Sequence, residues 1–142
     1  MLNKNTKVAV IGGGSWGTAI VSILSTNIDL MWWVRREKQK NQIILKKKNS
    51  RYLPSCKLNT DKINITSNID EILSKAQLII IATPSEFLLD IFEPKKKKLS
   101  EKIIISAVKG VISPFNQTPN EFFHRLNKKI DFYLSHYFLK NS

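Results

Sequence analysis

The sequence predicts an α/β domain with a doubly wound, mostly parallel sheet and helices on both faces. Three observations carry that expectation. Residues 7–25, KVAVIGGGSWGTAIVSILS, pass from an apolar run through a glycine cluster into a stretch with helical spacing. Two later runs, QLIIIAT at 77–83 and KIIISA at 102–107, are apolar almost throughout, as strands covered on both faces of a parallel sheet are. Helical patterns with capping residues, at 68–73 and 118–127, stand before and after these runs.

The first element is the strand Val8-Ala9-Val10-Ile11, apolar at every position. Gly12-Gly13-Gly14-Ser15-Trp16-Gly17 then fits G-x-G-x-x-G, and Ile20, Val21, Ile23 and Leu24 suit a helix packed on a sheet. Gly12 serves the tight turn, Gly14 lets the main chain approach a pyrophosphate, and Gly17 lets the helix lie close to the strand. The anion belongs at the helix N-terminus, where free N–H groups and the helix dipole favour it and Ser15 offers a hydroxyl. Strand, turn and helix in this order mark a Rossmann-type dinucleotide-binding unit. A glycine turn that serves packing alone is the competing reading.

A chain of 142 residues is long enough for one domain with its own core. Its longest apolar runs fall far short of the ~20 residues that cross a bilayer. The N-terminus MLNKNTK has no apolar signal region, and the single cysteine, Cys56, forms no internal disulfide. We therefore expect a cytoplasmic protein without a membrane partner. The net charge of +12 raises a nucleic-acid reading. Against it, the lysines fall in runs, 46–48 and 95–98, without interleaved aromatics, and the abundance of Ile, Asn and Lys is what an AT-rich coding sequence favours. Solvated surface is the expectation, with a general attraction for anionic ligands.

Asp29 to Val34 reads as the second strand, ending in Arg35-Arg36-Glu37. At this place an acid bonds a ribose 2′-hydroxyl, whereas arginine accepts a 2′-phosphate, so Arg35 and Arg36 point to NADP(H) over NAD(H). The alternative is two solvent-exposed arginines, with Glu37 paired to one of them. Residues 38–49 suit a polar helix, and Ser50 to Pro54 an ordered loop. Ile63 and Ile65 alternate as in a short edge strand, and Asn68 suits the N-cap of a helix with acids in its first turn. Strand 77–83 ends at Pro84-Ser85, and Thr83, Pro84 and Ser85 are expected in the same crevice as the glycine turn, Ser85 serving chiefly to cap a helix over 86–92. After strand 102–107, Lys109 faces the crevice as a point charge for a substrate phosphate or hydroxyl, or else stands in solvent before Gly110. Thr118 caps a helix with Pro119 at its first position, and residues from Ile130 begin another strand. Neither His124 nor His136 has a metal-ligand neighbour at a recognised spacing, so no metal is expected.

VIGGGSWGTA at 10–19, WVRR at 33–36, NSRYLP at 49–54, IIIATPS at 79–85 and VKG at 108–110 together resemble the N-terminal domain of bacterial NAD(P)-dependent glycerol-3-phosphate dehydrogenase. The resemblance covers roughly the first 133 residues. It implies hydride transfer between NAD(P)H and dihydroxyacetone phosphate to give sn-glycerol 3-phosphate, a phospholipid precursor. It also implies cofactor contacts from Ser15, Trp16, Arg35 and Arg36, beside Gly12, Gly14, Gly17 and Pro84 already placed at the crevice by the motif and the strand end, with Lys109 meeting both cofactor and substrate.

Residues 1–133 are thus expected to form the dinucleotide-binding domain, and 134–142 an atypical tail. The family's helical C-terminal domain, with its proton-transferring lysine and phosphate-holding residues, is not in this sequence. No catalytic residue is therefore assigned, and at most very weak turnover is expected of the chain alone. Rival expectations are a remnant that pairs with a separate helical domain through Phe132, Tyr133, Tyr137 and Phe138, a basic nucleic-acid-binding protein, and a truncated relic. A homo-oligomer is left open.

Overall fold

In the computed structural model, which describes residues 2–134, the apolar runs become the strands of one six-stranded sheet. Along the chain, β1 (Val8–Ile11) is followed by α1 (Ser15–Leu24), β2 (Leu30–Trp33) and α2 (Glu37–Lys46). Next come β3 (Ile63–Thr66), α3 (Ile69–Lys75), β4 (Leu78–Ile81) and α4 (Leu88–Phe92). The described part closes with β5 (Ile103–Ser106), α5 (Pro119–Leu126) and β6 (Asp131–Leu134). The strand order is β3-β2-β1-β4-β5-β6, and every adjacent pair is parallel. The chain builds outward from β1 to β3, then returns to lay β4 on the other side of β1. That reversal opens a crevice at the carboxyl ends of β1 and β4.

Strand alternation divides the core into two layers. Ala9, Ile11, Met31, Trp33, Ile79, Ile81 and Ile104 are buried with Ile72 of α3, Leu88 and Phe92 of α4, and Phe122 and Phe123 of α5. Val10, Leu30, Trp32, Val34, Ile63 and Ile65 are buried with Val21 of α1 and Ile43 of α2. Helices therefore cover both faces, and strands that must be apolar on both sides read as unbroken hydrophobic runs. Each fully buried aliphatic or aromatic side chain here contributes about 1.5–3 kcal/mol relative to exposure.

Helix ends follow local chemistry. The Asn68 side chain accepts the Asp70 N–H at 3.0 Å to start α3. At α5 the Thr118 hydroxyl accepts from the Glu121 N–H, and the Glu121 carboxylate accepts from the Thr118 N–H at 2.8 Å, a reciprocal cap with Pro119 in the first turn. Those backbone and hydroxyl donors from Thr118 hold the Glu121 carboxyl below its ordinary pKa.

Several expectations are corrected. Helix α2 stops at Lys46, short of Asn49, because Lys47 takes a left-handed conformation (φ 52°). Ser85 does not cap a helix through its side chain; it opens a 3-10 turn, Ser85–Phe87, ahead of α4. The 95–98 lysine run is not uniformly solvated, since Lys95 and Lys98 both bond Asp70 of α3 at 2.8 Å. They hold the Asp70 carboxyl below its ordinary pKa. Phe132 is not part of an exposed apolar patch: it stacks on Phe123 with ring centroids 5.8 Å apart, while Tyr133 is exposed. Residues 135–142 of the expected tail, including His136, Tyr137 and Phe138, lie outside the described residues. Among the described residues no helix is long and apolar enough to cross a membrane.

Candidate functional site

The glycine turn is built by β1, β2 and β4 together. The Gly12 N–H donates to the Trp33 carbonyl at 3.0 Å, and the buried Trp32 indole N–H donates to the Gly12 carbonyl at 2.7 Å. Gly12 has φ +132°, and a Cβ there would lie 2.5 Å from the Ala82 carbonyl oxygen, so both conformation and space demand glycine. A Cβ on Gly17 would lie 2.0 Å from the Gly12 oxygen, so only glycine lets α1 close onto the turn. Gly14 is different. A Cβ there meets no protein atom within 4 Å, which leaves its open side to a ligand.

Gly13 and Gly14 line a cavity of about 480 Å³ at the crevice. Arg35, Arg36, Lys38 and Arg51 also line it, with no carboxylate among the lining residues. Pro84 and Thr83 from the end of β4 and Tyr52 from the 49–54 loop complete much of the wall. The Arg35 guanidinium lies over the Phe87 ring at 4.5 Å, tying the end of β2 to the turn after β4. Glu37 does not pair with either arginine: it binds Lys40 and the Ser67 hydroxyl, and those two bonds hold its carboxyl below the usual range. The end of β2 therefore presents cations to the cavity without an acid.

Gly14, Arg35, Arg36 and Pro84 meet at this cavity. Gly12 and Gly17 are buried beneath it, shaping the turn. Ser15 and Trp16 open α1 and are exposed. The Ser15 hydroxyl donates to the Tyr52 carbonyl at 2.9 Å, so in this conformation its hydrogen is already engaged. Ser85 and Lys109 are not in the cavity wall; Lys109 is exposed beyond the carboxyl end of β5, on the same side of the sheet as the crevice. Sequence reasoning gave no site role to Gln39, Asn49, Tyr52 or Phe87. The 49–54 loop carried the only signal, an aromatic residue between polar neighbours and proline.

The family described as NAD-dependent glycerol-3-phosphate dehydrogenase N-terminus matches residues 7–134. The chain belongs to this family. Among curated relatives, the glycerol-3-phosphate dehydrogenase [NAD(P)+] of Ectopseudomonas mendocina is 37% identical over 105 residues, covering 73% of this chain and 31% of the relative. That of Bacillus mycoides is 36% identical over 108 residues, covering 75% of this chain and 32% of the relative. The chain thus spans about a third of the length of these dehydrogenases. The solved glycerol-3-phosphate dehydrogenase of Coxiella burnetii superposes with a TM-score of 0.79 at 19% identity, over 89% of this chain and 39% of that one. That of Dunaliella salina gives 0.81 at 20% identity, over 92% and 29%. At those identities the solved structures show the fold, and the Rossmann-type architecture expected of the dehydrogenase N-terminus is the one observed.

Proposed function

We propose that this chain is the cofactor-binding part of a glycerol-3-phosphate dehydrogenase, taking NADP(H) in preference to NAD(H) in the crevice above the glycine turn. One observation carries the reading: a cavity walled by Gly13 and Gly14 holds four cations and no carboxylate. The residues suit the cofactor, because Gly14 leaves room for the pyrophosphate and the N-terminus of α1 offers N–H groups to it. Arg35, placed over the Phe87 ring, and Arg36 beside it suit the adenosine end and its 2′-phosphate.

Bound in this way, the nicotinamide dinucleotide supplies the hydride for carbonyl reduction of dihydroxyacetone phosphate to sn-glycerol 3-phosphate. Gly12, Gly17 and Trp32 fix the turn that orients it, and Thr83 and Pro84 close the crevice on the β4 side. Lys109 is assigned to the substrate side, where an ammonium stabilises developing negative charge. Such chemistry supports glycerophospholipid synthesis in the cytoplasm. Full turnover is assigned to this part together with the remaining two thirds of length that the relatives possess.

The test is a fluorescence titration of the purified chain with NADPH and with NADH at low and moderate salt. Saturable binding that persists at moderate salt, tighter for NADPH, is the expected result. A cooperatively folded protein that binds neither nucleotide would overturn the proposal.

A further inference from the structure

Gly13 lines the cavity, and a phosphate there would be repelled if the peptide turned the Gly13 carbonyl inward. That carbonyl is covered twice: the Gln39 side-chain amide donates to it at 2.6 Å and the Asn49 amide at 2.9 Å. Asn49 is only 2% exposed, and the same Nδ2 group donates to the Thr18 hydroxyl at 2.9 Å. That hydroxyl in turn donates to the Gly14 carbonyl at 2.7 Å, in the first turn of α1. One buried amide thus ties together the carbonyl before Gly14 and the helix after it. Since a trans peptide turns its C=O and N–H in opposite directions, holding the Gly13 carbonyl also aims the Gly14 N–H away from Asn49 and Gln39.

We infer that Asn49 is a positioning residue for the cofactor pyrophosphate, acting through the Gly13–Gly14 peptide and Thr18. This rests on the dinucleotide reading above. A donor is needed on the side that meets Gly13, which an amide has and an ionised carboxylate lacks. Asn49→Asp keeps the shape but loses both donations, to the Gly13 carbonyl and to the Thr18 hydroxyl, and places a negative oxygen against the Gly13 carbonyl and beside the phosphate site. Burial against a carbonyl oxygen raises the pKa of that carboxyl, so acidification protonates it and restores a donor. The substitution therefore makes binding pH-dependent in a definite direction.

The experiment uses the full chain with NAD+, followed by calorimetry from about pH 8 to about pH 5, because its pyrophosphate keeps its charge over that range whereas the 2′-phosphate of NADP+ titrates near 6. Asn49→Asp is expected to bind at least about ten-fold more weakly than the native chain at the upper pH and to recover on acidification, the native chain showing no such recovery. Asn49→Ser, which shortens the donor without adding charge, is expected to lose about ten-fold at every pH. Circular dichroism at each pH confirms that the variants are folded, and if Asn49→Asp unfolds, Asn49→Ser decides. Native affinity in the folded variants, or a loss in Asn49→Asp that acid does not reverse, overturns the assignment. A folded native chain that binds neither NAD+ nor NADP+ instead overturns the dinucleotide reading itself.

Discussion

Substituting Gly14 and Gly17 separates binding from folding, because the two positions see opposite surroundings. Gly14 is extended (φ −83°, ψ −170°) at the N-cap of α1, a backbone that any residue adopts. A Cβ there meets no protein atom within 4 Å. The fold of Gly14→Val should therefore change in stability by less than about 1 kcal/mol, restriction of the unfolded chain offsetting the weaker cap. At Gly17 a Cβ falls 2.0 Å from the Gly12 oxygen, which is backbone and has no rotamer through which to escape. Better helix propensity returns only about 1 kcal/mol, so Gly17→Ala should lose roughly 3 kcal/mol net through displacement of the turn. Thermal unfolding measures both. Gly14→Val should unfold near the native temperature and yet bind NADPH at least about a hundred-fold more weakly, since the side chain fills the space assigned to the pyrophosphate. Native affinity in Gly14→Val would refute the phosphate position, and a large stability loss in that variant would refute the steric argument.

Exchanging Arg36 for Asp should weaken NADPH by about ten- to a hundred-fold, the scale of one lost charge-assisted hydrogen bond, with little change for NADH; equal effects in a paired titration would remove the 2′-phosphate role. Trp32→Phe leaves the buried Gly12 carbonyl without its 2.7 Å donor, and chemical denaturation should show a loss of about 1–3 kcal/mol. Acid should weaken the link between α3 and the 93–99 turn: Lys95 and Lys98 lower the Asp70 pKa on folding, so the unfolded state binds more protons between the two values. That stabilisation is complete above the ordinary aspartate pKa of 3.8 and is lost as pH falls through the lower folded value. In Asp70→Asn the melting temperature should fall less steeply below pH 4 than in the native chain; equal slopes would assign no part of the acid sensitivity to Asp70.

What could be read from the sequence follows from the range of the interactions. Strands β1 and β4 declare themselves because burial on both faces leaves no polar position, β5 because three isoleucines precede Ser106, and α5 because Thr118, Pro119 and Glu121 carry its cap within four residues. The glycine positions are legible for the same reason, since the motif packs its turn against the adjoining strand and helix. The partners of Glu37 are not legible locally, because its neighbours in sequence include two arginines, whereas it binds Lys40 on the next turn and Ser67 thirty residues away. Lys95 and Lys98 reach Asp70 across 25 and 28 residues, and no local pattern distinguishes them from the solvated Lys97 between them. The cavity wall follows the same rule. Gln39 and Asn49 meet Gly13 only because α2 and the loop after it fold back over the turn. A motif therefore locates the floor of such a site, while its walls come from segments whose own sequences are shaped by distant partners. That is why Asn49, an ordinary polar residue in a loop, acquires its meaning only once the sheet order has placed it.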